Sequence, residues 1–137
     1  MTQSLERTGD DRDTATGVLA AVSDEMVRIY KEKFGRGPSR VRTYWVGDDV
    51  LTTTLEDTFT PAERTLAELG EHQRMRETRM LFQYAAVREF CEPVERLTGR
   101  RVKAFVSGVD TAVDGLAVET FILHPVGSDA PSRTAQA

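Results

Sequence analysis

Between residues 18 and 34 the apolar side chains Val18, Leu19, Val22, Met26, Ile29, Tyr30 and Phe34 recur with a helical spacing. Steps of three and four positions wind them into one stripe of a helix, with Asp24, Glu25, Arg28, Lys31 and Glu32 on the wet side. Gly35 can take the left-handed conformation that closes a helix, and Pro38 forbids a restart ahead of itself.

The period then changes to two. Arg40 to Val46 and Val50 to Glu56 are rich in Val, Thr, Tyr, Trp and Leu, and Gly47-Asp48-Asp49 separates them as a turn would, so they predict a β-hairpin. Val41, Thr43 and Trp45 share one face of the first strand, and Arg42, Tyr44 and Val46 the other. In the second strand Leu51, Thr53 and Leu55 oppose Val50, Thr52 and Thr54, and the Thr-rich face is the one expected to meet solvent.

Thr60-Pro61-Ala62-Glu63 carries a capping box, with Thr60 as the cap, Pro61 at the first helical position and Glu63 reaching back. The helix it opens breaks at Gly70 and resumes as a long segment from about 71 to 97. Met75, Phe82, Ala86, Phe90, Val94 and Leu97 form its expected buried stripe, and Pro93 predicts a kink near Glu89. Gly99 ends it.

Val102 to Ser107 and Leu116 to Leu123 read as a second hairpin around the loop Gly108 to Gly115. Val102, Ala104 and Val106 share one face, as do Leu116, Val118, Thr120 and Ile122. The order αββαββ predicts an α+β two-layer sandwich, with helices on one face of a four-stranded, mainly antiparallel sheet. The domain is expected over residues 16–125, flanked by disordered tails at 1–15 and 126–137 that carry few large apolar groups.

Composition narrows the class. A chain of 137 residues buries enough surface to fold unaided, and its one cysteine, Cys91, cannot form an internal disulfide. No secretory h-region follows Met1, and no apolar run approaches the roughly twenty residues that span a bilayer, so a cytoplasmic protein is expected. The net charge of −4 does not favour nucleic acid.

Three stretches together resemble a known family: Glu25 to Pro38 with its Gly35-Arg36-Gly37-Pro38 turn, Asp49-Val50-Leu51 through Thr60-Pro61-Ala62-Glu63-Arg64-Thr65-Leu66, and Val94 to Val102. In that order they are similar to the MpsC-like family of small bacterial proteins, named for a sodium-translocating, membrane-potential-generating system. The resemblance covers roughly residues 18–124. It implies an accessory or regulatory chain, since the membrane work of such a system falls to other chains, and it offers no catalytic residues to carry across.

The residues themselves give few chemical candidates. Lys33, Arg36, Gly37, Arg40 and Arg42 concentrate donors around a turn, as a small-anion or nucleotide site would. The same cations also suit the end of a helix, where they balance its dipole. Arg74, Arg76 and Arg79 are interspersed with acids and read as a solvated helix face. His72 and His124 lie far apart and neither is spaced with Cys91 as metal ligands are, so no metal and no cofactor is expected. Cys91 reads as a buried, unreactive thiol, and no catalytic motif is present, which leaves an enzyme possible only through residues that folding brings together.

Tyr44 and Trp45 are neighbours on a strand and must face opposite ways, so one is expected to be exposed as a contact surface. The edges of the sheet also need cover. The sequence therefore points to a non-enzymatic protein that binds a protein partner, forms a homodimer and associates at most peripherally with a membrane complex. A small-anion regulator and an enzyme with an unrecognised site are the alternatives.

Overall fold

A computed structural model describes the backbone of residues 2–136 and the side chains of residues 17–135. Its elements are α1 (Thr2–Phe34), β1 (Arg40–Val46), β2 (Val50–Glu56), α2 (Pro61–Glu68), α3 (His72–Ala85), α4 (Val87–Thr98), β3 (Val102–Asp110), β4 (Leu116–Leu123) and a short 3-10 turn, η1 (Arg133–Gln136). α1 extends well ahead of the apolar stripe that predicts it. The tail expected at residues 1–15 falls on side chains outside the described ones.

The four strands form one antiparallel sheet in the order β1-β2-β4-β3. Both hairpins form as expected, and their second strands, β2 and β4, pair with each other at the centre. Leu51, Thr53 and Leu55 of β2 are buried together with Ala117, Glu119, Phe121 and Leu123 of β4, so one face of the sheet is sealed. Helices α1, α3 and α4 contribute Val22, Met26, Ile29, Tyr30, Met75, Phe90 and Val94 to the interior. Thr52 and Thr54 lie on the opposite face, as the alternation predicts.

Three expectations need correction. The long helix over residues 71–97 is two helices joined at Ala86, whose backbone (φ −95°, ψ 19°) leaves helical geometry, and the change of direction falls there rather than near Glu89. Pro93 stays inside α4: the carbonyl it deprives of a donor belongs to the exposed Glu89, so no buried acceptor is stranded. The joint frees α3 and α4 to turn independently toward the sheet.

The second correction concerns α3. Phe82 is 54 % exposed and Leu81 68 %, whereas Arg79 and Gln83 are buried. Polar partners on the sheet and in the loop before α2 draw Arg79 and Gln83 inward, and the same rotation carries Phe82 out. Arg79 therefore does not belong to a solvated face.

The third concerns β3. The pairing slips between Val102 and Ala104, a bulge that moves the next residues to the other side. Phe105 and Ser107 are buried beside Val102, and Val106, expected to share the face of Val102, is 56 % exposed.

Beyond β4 the chain returns past β3. Arg101 donates to the carbonyls of Asp129 and Ala130, and η1 packs against β3 and α4. At the same end of the sheet Arg100 joins the two hairpins, donating to the carbonyls of His124 and Asp48 and to the Asp49 carboxylate.

Candidate functional site

Strand alternation places Glu119 between Ala117 and Phe121 on the sealed face of the central strand, where it is fully buried. Tyr30 of α1 donates its hydroxyl to Glu119 Oε1 at 2.7 Å. Gln83 of α3 donates through Nε2 at 2.9 Å, and Ser107 of β3 through its hydroxyl at 2.9 Å, both to the same oxygen. The Gln83 amide also donates to the Ser107 hydroxyl. Three elements thus converge on one carboxyl oxygen. Glu119 Oε2 and Gln83 Oε1 are buried with no partner among the described residues.

Burial dominates the proton affinity of this group and pushes the Glu119 carboxyl up to about 8, although the hydrogen bonds from Ser107 and Tyr30 and the charge of Arg79 act in the opposite sense. A carboxyl held there carries its proton at neutral pH. Burial also raises Tyr30 well above the usual phenol range, and the neighbouring Glu119 adds to that.

A second polar group lies across the Tyr30 ring. Arg79 is 1 % exposed. It donates to the hydroxyl and carbonyl of Thr58 at 3.1 and 2.8 Å and to Glu63 Oε1 at 3.2 Å. Its Nε stands 3.1 Å from Glu63 Oε2, an ion pair that lacks hydrogen-bond alignment, since Nε has no bonded partner. The guanidinium sits 4.3 Å from the centre of the Phe34 ring and 5.9 Å from that of Tyr30. Glu63 meanwhile closes the capping box with Thr60, so the start of α2 and the interior share one carboxylate. The Thr58 hydroxyl donates a hydrogen bond to the Gly115 carbonyl.

The residues singled out from the sequence are not gathered in this way. Lys33 pairs with Glu89 at 3.1 Å, Arg36 with Asp57 at 3.2 Å and with the Phe59 carbonyl at 2.6 Å, and Arg40 with Glu56 at 3.6 Å. Gly37 packs against the Lys31 side chain, and Arg42 projects from β1 beside Tyr44 and Thr54. Of the two aromatic neighbours, Tyr44 is the exposed one and Trp45 packs at the margin of the core. Arg79, Gln83 and Glu119 were missed. For Glu119 a signal existed, because its position has the parity of Ala117, Phe121 and Leu123.

The other face of the sheet carries Tyr44 and Val46 from β1, Thr52 and Thr54 from β2, Val118, Thr120 and Ile122 from β4, and Val106 from β3. Tyr44, Val46 and Val106 are exposed, and the Thr52 and Thr120 hydroxyls lie 3.2 Å apart near its centre. Charged side chains, among them Arg40, Arg42, Glu56 and Asp110, stand at its rim.

No helix among the described residues is long and apolar enough to cross a membrane, and no group of three His, Cys, Asp or Glu among them is placed to hold a metal ion. Fold and site together define an α+β protein with a single antiparallel sheet, an acid buried under its helices and an uncharged outer centre. The profile of a family described as the Na+-translocating membrane potential-generating system (MpsC) matches residues 14–125. The chain belongs to this MpsC family. No curated protein and no solved structure matches it.

Proposed function

We propose that this chain is a non-enzymatic, cytoplasmic accessory protein of a sodium-translocating, potential-generating system, a two-layer domain that docks a protein partner on the outer face of its sheet. The observation that carries this reading is the exposed apolar content of that face, with Tyr44, Val46 and Val106 around a threonine centre. Tyr44 and Val46 stand on one edge strand and Val106 on the other, so the exposed apolar groups flank the threonines from both sides. Exposed apolar side chains grouped on one face, rimmed by charged ones, commonly mark a contact site. The family link supports the reading that such a partner belongs to the sodium-translocating, potential-generating system for which the family is named.

The test is Val106→Asp in cells that depend on the chain, read as sodium efflux and as membrane potential with a voltage-sensitive dye. A charge at this exposed position is expected to abolish the contribution of the chain while its circular dichroism and melting remain those of the parent. Full complementation by the folded variant would remove the basis of the proposal.

A further inference from the structure

The two edges of the sheet differ. Along β3, the returning chain is tied by Arg101 and η1 packs against the strand, whereas β1 has no neighbour on its outer side among the described residues. β1 is seven residues long, free of proline and glycine, and paired along its whole length with β2 on the inner side. A regular strand with an open row of main-chain donors and acceptors is a template for another strand.

We propose that β1 pairs with β1 of a second copy in antiparallel fashion, about a two-fold axis through Thr43, to make one continuous eight-stranded sheet. The register follows from the strand limits: the only two-fold that pairs all of Arg40–Val46 passes through its middle residue, Thr43. It sets Arg42 opposite Tyr44 of the second copy, Arg40 opposite Val46 and Val41 opposite Trp45. No two like charges oppose each other directly, although β1 carries two arginines.

Each Arg42 guanidinium can then lie over a tyrosine ring, and each Val41 against an indole, pairings that stabilise antiparallel strands. The ladder adds roughly six to eight main-chain hydrogen bonds. The inner ties of β1 are already in place: Ser23 on α1 bonds the Thr43 hydroxyl at 2.7 Å, and Thr43 bonds Thr53 at 2.8 Å, so the strand is held before it meets its copy. This pairing runs along the edge at β1 and touches the outer face only at its border, where Arg42 of the second copy would meet Tyr44. Val106 lies on the far edge strand, so Val106→Asp tests the partner proposed above without touching this pairing.

Self-association of the full chain by sedimentation equilibrium tests it, with two substitutions of opposite sign at one exposed position. Tyr44→Arg would set arginine against arginine twice in each dimer and is expected to weaken dimerisation on the order of tenfold to thirtyfold. Tyr44→Glu would set glutamate against Arg42 and should preserve or tighten it. The double variant Arg42→Glu/Tyr44→Arg should restore the dimer. In the parent, hydrogen exchange at β1 amides should slow as concentration rises through the micromolar range. A parent that sediments as a monomer throughout that range would overturn the proposal. So would equal weakening by Tyr44→Arg and Tyr44→Glu, which is the signature of contact through the apolar face.

Discussion

The Tyr30 hydroxyl reaches Glu119 Oε1 at 2.7 Å, joining a helix near the start of the chain to the central strand near its end. The bond places a donor from α1 on a buried acid that Gln83 and Ser107 approach from α3 and β3. The three donors on Oε1 favour the charged carboxyl, and burial, which favours the neutral one, outweighs them.

Stability should therefore fall as pH rises through the neutral range. The unfolded chain releases the Glu119 proton near the ordinary value of 4.5, and the folded chain keeps it to about 8. Between those values the folded state holds one more proton, so each step up in pH costs stability, and above about 8 the slope from this group vanishes. Tyr30, Gln83, Ser107 and Arg79 face the carboxyl, and Tyr30 ionises only well above its usual range. Glu119→Gln should flatten this part of the profile and exceed the parent at pH 8 to 9 by a few kcal/mol, on the order of the linkage estimate. Urea melts from pH 5 to 9 measure it, and identical slopes for the two proteins would refute the assignment.

Arg79→Ala should be among the most costly changes on α3. It leaves the Thr58 carbonyl and the Glu63 carboxylate facing an interior without their cation, a loss of about 3 to 5 kcal/mol for a broken buried pair. Lysine should recover only part, because one ammonium group cannot span Thr58 and Glu63 as the guanidinium fork does. Arg74→Ala, on the wet side of the same helix, should stay within about 0.5 kcal/mol of the parent in the same urea titration.

Gly115→Ala and Gly99→Ala should differ although both glycines have left-handed backbone. A Cβ at Gly115 (φ +77°) would stand 2.6 Å from Phe59 Cδ1, whereas one at Gly99 (φ +69°) meets open space. Alanine at Gly99 should cost about 1 kcal/mol from conformation alone. At Gly115 the clash adds to that and raises the total above roughly 2 kcal/mol. Phe59→Leu combined with Gly115→Ala should show positive coupling in a double-mutant cycle.

Cys91 should be silent to thiol reagents in the folded protein. It is fully buried, and burial pushes its thiol up to about 12, with the charge of Glu95 adding to the effect. At pH 8 almost no thiolate exists to react. Labelling by a disulfide reagent should appear only with urea, tracking global unfolding, and rapid labelling in buffer would place Cys91 elsewhere.

The strands were legible because period two is a strong signal over seven residues, and β1, β2 and β4 end where the pattern ends. The cap at Thr60 was legible for a local reason, since the whole motif lies within four residues. What sequence could not supply was the direction of α3. Its apolar residues favour burial of Phe82, and only the partners Thr58, Glu63, Ser107 and Glu119, distant in the chain, make burying Arg79 and Gln83 favourable instead. The bulge in β3 was hidden likewise, because Val102, Ala104 and Val106 alternate acceptably on their own. The buried acid lay in plain view by parity, yet a glutamate at an apolar position reads as an irregularity until Tyr30 and Gln83 are seen to meet it.

The central seam of the sheet sets the tempo at which the molecule can assemble. Val50 meets Ile122 and Leu55 meets Ala117, strands about sixty to seventy positions apart, while each hairpin closes over a short turn. The hairpins can zip within microseconds, but the seam must wait until α2, α3 and α4 have been drawn between them. A nascent chain emerging from the ribosome therefore holds β2 with an unfilled side until its last strand is released.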